Sequence, residues 1–546
     1  MRFRIVFTLL LPLLISCEGI KKERVDLIVR NATIYTVDEN FSMADAMAIK
    51  GDTIVAIGSE HEILNKYQSG QEYDARKKFV YPGFNDAHSH FLGYAEGLTR
   101  VNLVGTQSWQ ECIDRVEKYA QQHSDGWILG RGWDQNDWEN QAFPNKFELD
   151  SLFPNRPVLL KRIDGHAAIA NSMALKLAGV NASSVVFGGD IYMKDSVPTG
   201  ILIDNAVDLV NKVVPQTSYQ QKARGLRKAQ KNLFQAGVTS LTDAGLNVAD
   251  ILLIDSLQNS GLLKIRTYIM VSDDSSNLRY FQERGKIKND YLNVRSFKFY
   301  VDGALGSRGA AMLEPYSDAT EENGLLLSAK SHFEEMASIM LSMDFQMNAH
   351  CIGDSANRLT LDVMGKALKG VNDKRWRIEH AQVIDPNDLS KFKAYTVIPS
   401  VQPTHATSDA SWAKDRLGER IKNAYIYKDL LQQNGTIPLG TDFPVEDIDP
   451  LKTFYAAVYR KTPFDASEEA FQPENALTAE DALRGITIWP ALAAFEEKEK
   501  GSLEPGKFAD FVVLNGDLLN IPEDQFSTLK VISTFSGGIQ VFQETN

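Results

Sequence analysis

Between residues 82 and 442 the chain alternates short apolar runs with longer stretches in which apolar residues recur three or four positions apart. The short runs hold the β-branched and aromatic residues of strands, and the longer ones carry the period of amphipathic helices. Strands are expected to end at Phe84-Asn-Asp86, Val238-Thr-Ser-Leu-Thr242, Ile265 to Met270 and Phe297-Lys-Phe-Tyr300. Four more follow at Phe345-Gln-Met-Asn348, Trp376-Arg-Ile378, Val397-Ile-Pro-Ser-Val401 and Thr436-Ile-Pro-Leu439. Strands separated by helices pair in parallel, and eight of them close a (β/α)8 barrel. Val158-Leu-Leu-Lys161 is a further strand-like run, assigned to a large insertion over about 93–218, after the first barrel strand. An open doubly wound sheet is the alternative, but no glycine-rich phosphate loop opens any of the helices.

The flanks read differently. Residues 25–81 break into several short strands at Asn31 and Gly51-Asp52, and residues 499–546 add Phe511-Val-Val-Leu514 and Leu529 to Phe535. The two pieces are expected to pair into one small β-domain. The expected fold class is therefore α/β: a TIM-type barrel over 82–498 and a β-sandwich domain built from both chain termini. At the start, Arg2 and Arg4 precede an apolar run from Ile5 to Ile15, too short to span a bilayer and shaped like a secretory signal. It ends in Leu14-Ile15-Ser16-Cys17, which resembles a bacterial lipobox. That resemblance implies a signal peptide over 1–16, lipidation of Cys17, a tether over 17–24 and an exported, membrane-anchored lipoprotein of the bacterial cell envelope. An ordinary signal peptide with an incidental cysteine is the competing reading.

With 546 residues, 43% hydrophobic and 24% charged, the composition is that of a globular protein. The formal net charge is −13, with acidic and basic residues interspersed, which argues against a nucleic-acid partner. The expected partners are a small-molecule substrate and, through the anchor only, a membrane; assembly into a homo-oligomer stays open. Cys112 and Cys351 lie far apart and form no disulfide framework.

Barrel enzymes build their sites at the C-terminal ends of strands, and several of these ends carry metal-ligand types. The first gives Asp86-Ala-His88-Ser-His90, where alternation points His88 and His90 the same way. Strand five ends at His350, strand six at His380 and strand eight at Asp442. Each alone is more often structural than a ligand: a surface or satisfied histidine, or an aspartate capping the following turn. Together, four imidazoles and a carboxylate suit zinc or a similar divalent ion. Lys298, flanked by Phe297 and Phe299 in strand four, is either ion-paired or snorkelling, or part of the same site.

Pro82-Gly-Phe-Asn-Asp-Ala-His-Ser-His90, Lys298, His350, His380 and Asp442 resemble, in order and strand assignment, the metal centre of the amidohydrolase superfamily. Gly130-Arg-Gly-Trp-Asp134, Asp164-Gly-His166, Asp302-Gly-Ala-Leu-Gly-Ser-Arg308 and His350-Cys-Ile-Gly-Asp354 are similar to its YtcJ-like branch, which includes N-substituted formamide deformylase. The resemblance implies metal ligation by His88, His90, Lys298, His350, His380 and Asp442, with one or two ions and a carboxylated Lys298 bridging two. It further implies hydrolysis of an amide-type C–N bond, in the N-acyl or N-formyl amine class, by a metal-activated water with Asp442 as base. His166 would hydrogen-bond the substrate carbonyl if the insertion covers the barrel mouth; a structural histidine is the alternative. Trp133, Asp134 and Arg308 are candidates for substrate contact, although Trp127, Trp133 and Trp138 with Arg131 paired to Asp134 would serve equally as an insertion core. Cyclic amidase, deaminase or carbamate chemistry fits the same scaffold. A lipid-anchored binding protein without turnover is the reading from another class, disfavoured because a binder has no use for Asp442 beside a metal.

Overall fold

The computed structural model describes residues 22–545; the expected signal segment and Cys17 lie outside the described residues. Seven parallel strands follow one another in sequence and in space: β1 (Phe84–Ser89), β2 (Val238–Leu246), β3 (Arg266–Ser272), β4 (Leu292–Tyr300), β5 (Gln346–Cys351), β6 (Arg377–His380) and β7 (Ile398–Ser400). Helices on the outside cover them. The helix Tyr219–Gln235 illustrates why: Ser218 and Gln221 form a capping box at its start, and Leu226, Ala229 and Leu233 recur on one buried face. Gly225 on that helix is required, since a Cβ there would fall 2.6 Å from the carbonyl oxygen of Ala95 in the neighbouring helix Phe91–Gly97.

The eighth position differs from the sequence expectation. Thr436 to Leu439 forms no regular ladder; the segment bridges only Val401 with Leu439. Pro438 has no N–H to give, and the chain turns left-handed at Asp442, φ 60°. It nevertheless closes the barrel, through Gly440 N to Val401 O (3.0 Å), Ala87 N to Leu439 O (3.1 Å) and Asp442 N to His88 O (2.7 Å). Gly440 allows this approach, because a Cβ there would lie 2.5 Å from His88 N.

Outside the barrel, Phe511–Leu514 pairs antiparallel with Phe79–Pro82, so strands from both ends of the chain share one sheet. A second sheet, Thr53–Gly58, Ala46–Lys50, Leu27–Arg30 and Glu72–Asp74, packs on it through Val29, Met47, Val80, Phe511 and Phe535. Between β1 and β2 a six-stranded mixed sheet forms, with Val101–Asn102, Ile128–Trp133, Val158–Arg162, Ala167–Ala170, Val197–Asp204 and Gly189–Lys194 in that spatial order. It stands at the C-terminal mouth of the barrel, where its residues and those of the strand ends line one cavity of about 740 Å³.

Barrel closure rests on Asp86. Its carboxylate accepts from Thr441 Oγ1 (2.6 Å), Thr441 N (3.1 Å) and His88 N (3.0 Å), all buried. At about 1 kcal/mol net per hydrogen bond, Asp86→Ala is expected to cost on the order of 3 kcal/mol. A urea titration reads this as a lower midpoint, and an unchanged midpoint would remove Asp86 from the closing role.

Candidate metal centre

Strand alternation sends His88 and Ala87 to opposite faces of β1, and His88 enters the barrel fully buried. Its Nδ1 lies 2.5 Å from Glu379 Oε2 on β6. Glu379 is held in turn by Arg377, two residues earlier on the same face, with Nε 2.7 Å from Glu379 Oε1. Arg377 also donates to Ala87 O (2.6 Å) and Ser400 Oγ (2.8 Å). Burial would raise the Glu379 carboxyl, but the charges of Arg377 and then His88 override it and hold it at about 2. Burial and then the Lys298 charge pull the His88 imidazole down to about 4. A neutral ring with its proton on Nδ1, facing a carboxylate, turns the Nε2 lone pair toward the cavity.

The other candidates converge on that nitrogen. Lys298 Nζ is 3.2 Å from His88 Nε2, and burial pulls its ammonium down to about 8. Asp442 Oδ1 lies 3.7 Å from His88 Nε2 and 3.2 Å from His90 Nε2. Burial would raise the Asp442 carboxyl; the close contact with the His90 ring and then the neighbouring imidazoles instead hold it well below the usual range. The His380 ring is 4.9 Å from that of His88 and 4.5 Å from that of His350, centroid to centroid. Burial first, then neighbouring positive charge, keeps His350 and His380 far below the ordinary imidazole value, hence neutral. His380 and Asp442 both have left-handed backbones, φ 73° and 60°, at a cost of roughly 1–3 kcal/mol each that a functional site characteristically bears.

This donor set fits a divalent ion. Potential ligand atoms of His88, His380 and Asp442 all lie within 4.8 Å of one another. His380 Nδ1 and Asp442 Oδ1 are buried without a hydrogen-bond partner, an arrangement that costs free energy unless something else binds there. Neutral imidazoles and an ionised carboxylate are the ligands such an ion takes.

His166 faces this wall from the insertion, its ring 4.9 Å from that of His350. Asp204 Oδ1 holds its Nδ1 at 2.7 Å. Burial would lower this imidazole, but the hydrogen bond and charge of Asp204 raise it. Gly303 and Gly309, in the loop after β4, leave the space the Asp204 carboxylate occupies, and a Cβ at either would collide with it.

Three expected substrate contacts sit otherwise. Trp133 is fully buried in the insertion core against Trp138, its indole N–H given to Leu160 O at 2.9 Å, so it does not reach the cavity. Arg308 pairs with Asp318 at 2.8 Å and lies off the cavity wall. Asp134 does line the cavity, but its carboxylate is bound by Arg162. Arg131 is not its partner: Nε and Nη2 of Arg131 donate to Ile163 O (3.2 and 2.9 Å). Residues not singled out from the sequence include Glu379, Arg377, Asp204 and His405, whose Nε2 is 3.7 Å from Asp442 Oδ2. Glu379 had one signal, an acid directly before a ligand and two residues after an arginine in a strand; His405, in the helix Pro403–Ser408, had none.

A closed parallel barrel with neutral imidazoles and a carboxylate at its C-terminal mouth is the arrangement of a metal-dependent hydrolase, and the family match and relatives that follow make carbon–nitrogen bonds its target. The sequence profile of the amidohydrolase family matches residues 71–542, and the chain belongs to that family. It is 33% identical over 540 residues to Protein LONG AFTER FAR-RED 3 of Arabidopsis thaliana, covering 95% of this chain and 91% of that one. It is 25% identical to N-substituted formamide deformylase of Arthrobacter pascens, covering 95% and 99% of the two chains. The crystal structure of an uncharacterized metal-dependent hydrolase from Pyrococcus horikoshii OT3 superposes with a TM-score of 0.75 at 27% identity, covering 91% of this chain and 99% of that one.

Because Glu379 fixes the tautomer and orientation of His88, Glu379→Gln is expected to weaken divalent-metal affinity roughly 10–100-fold. Competition against a chelator measures this directly. Affinity equal to wild type would mean that Glu379 only balances Arg377.

Proposed function

We propose that the protein hydrolyses the C–N bond of an N-acyl or N-formyl amine. The observation that carries this reading is the position of Asp442, an ionised carboxylate at the strand end that lines the cavity with its Oδ1 3.2 Å from His90 Nε2 and 3.7 Å from His88 Nε2. The likeness to the formamide deformylase supports the bond type.

His88, His90, His350, His380 and Asp442 would hold one or two divalent ions, zinc being the ion such a set favours. When bound, the metal supplies Lewis acidity to the substrate carbonyl and to the attacking water. Asp442 takes the proton of that water on its carboxylate and returns it to the departing nitrogen, so that the amine leaves neutral. His166, with Nδ1 occupied by Asp204, presents Nε2 to the cavity and hydrogen-bonds the carbonyl oxygen as negative charge grows on it. Lys298 is fully buried, and burial pushes its ammonium down to about 8, toward the neutral amine that carboxylation needs. Asn348, its neighbour in register on β5, has both amide atoms buried without partners, which suits an additional polar group there.

Asp442→Asn is expected to keep most of the metal yet lose about 10²–10⁴-fold in turnover. The wild-type screen should span N-formyl, N-acyl, cyclic amide, amidine-type and carbamate substrates, with elemental analysis alongside. Near-normal hydrolysis by Asp442→Asn would remove the base assignment, and turnover confined to cyclic amides, aminated rings or carbamates would replace the N-acyl reading.

The lipid anchor is part of the same proposal. Mass spectrometry of the mature protein should find acyl chains on Cys17 and the protein in the membrane fraction. A mature protein that begins elsewhere and stays in the soluble fraction would refute it.

A further inference from the structure

Arg131 and Lys161 face the cavity from adjacent parallel strands of the insertion sheet, directly opposite one another in register. Neighbouring strands lie about 4.8 Å apart, so the two cations serve one place. Along the same row the next residues are Asn102 on one side and Ala168 on the other, neither of them charged. The other cations of the wall are spoken for. Arg162 is bound by Asp134 and Asp164, Lys222 pairs with Asp250 at 2.6 Å, and Lys298 belongs to the metal centre. Among the described residues, Arg131 gives Nε and Nη2 to a neutral carbonyl, and the Lys161 ammonium forms neither an ion pair nor a hydrogen bond.

Two like charges side by side on a partly buried strand repel, and among the described residues the nearby acids, Asp208 and Glu96 by Lys161 and Asp164 by Arg131, offset this only from a distance, without an ion pair to either cation. Burial first, then the charges of Arg131 and Arg100, pull Lys161 down to about 8 against the opposing pull of Asp208 and Glu96. Arg131 lines the same cavity as His90 and Asp442. An anion between the two cations would therefore lie in the cavity that holds the metal ligands.

We propose that Arg131 and Lys161 bind a carboxylate of the substrate, so that the acylated amine hydrolysed here is an N-acyl or N-formyl amino acid or a closely similar acylated amine bearing a carboxylate. This deepens the N-acyl reading above and rests on it. A planar monoanion matches the guanidinium edge that Ile163 leaves open. A dianion such as a phosphate is disfavoured, because Glu96, Asp208 and Asp137 share the cavity wall.

The test compares racemic N-acetylmethionine with its primary carboxamide, which puts a neutral group of nearly the same shape in place of the carboxylate. Calorimetric titration of the metal-loaded protein should show the carboxylate binding at least roughly tenfold tighter than the carboxamide, as expected for a charge-assisted contact. Lys161→Met should abolish most of that preference and Lys161→Arg should restore it. Equal binding of the two ligands, or a preference that survives Lys161→Met, would overturn the inference. Turnover of the same pair separates it from the reading beneath. Hydrolysis of both at equal kcat/KM overturns the carboxylate site alone, whereas tight, Lys161-dependent carboxylate binding without hydrolysis supports the site and overturns the N-acyl hydrolase.

Discussion

The carboxylate of Asp86 ties the eighth segment of the barrel to the first through Thr441, side chain and backbone. This contact decides where Asp442 sits. The segment it holds has a proline where a strand would give an N–H, and a left-handed residue where a strand would stay extended. Its ladder is replaced by isolated hydrogen bonds to β1 and β7. A regular strand would point the residue after Thr441 away from its neighbour's nitrogen. The irregular one turns Asp442 inward, so that its amide is bound by His88 O while its carboxylate faces the imidazoles.

Charge in the site is ordered in a chain that begins outside the cavity. Arg377 is buried and its cation neutralises Glu379, whose carboxylate then orients His88. Burying such a pair is expensive, and it stabilises little by itself. What it secures is a defined tautomer on a defined ring: Nδ1 is committed to Glu379, leaving Nε2 for the cavity. The same logic recurs across the mouth, where Asp204 commits Nδ1 of His166. Both histidines thus present one nitrogen each, fixed by a carboxylate from behind.

The sequence made the barrel legible because strand-to-helix alternation is a local signal, and the ligand types stood at the ends of those strands. His88, His90, Lys298, His350, His380 and Asp442 could be picked out for that reason, and the structure brings them to one wall. The eighth segment was visible only as an apolar run; its irregularity comes from tertiary contacts that Pro438 and Gly440 permit. The residues behind the ligands left weaker traces. Glu379, Asp204 and His405 are distant in sequence from the groups they touch, and only the closed fold joins them. Trp133 and Arg308 misled in the opposite way. A tryptophan and an arginine in a motif look equally suited to a pocket or a core, and here the core and Asp318 claimed them.

The two halves of the cavity are built on different principles. The barrel wall supplies neutral imidazoles and a carboxylate on short strand ends, where geometry is set by backbone hydrogen bonding and cannot vary much. The insertion wall is a separate sheet with its own hydrophobic core, carrying Arg131, Lys161 and His166 toward the barrel. It meets the loop after β4 where Asp204 packs against Gly303 and Gly309. Substitutions on its cavity face can therefore change what is recognised without moving a ligand atom, provided that Asp204 still fits between those glycines. The metal ligands and the cavity face of the insertion thus lie on separate sheets with separate hydrophobic clusters, the physical condition for one metal site to serve many substrates.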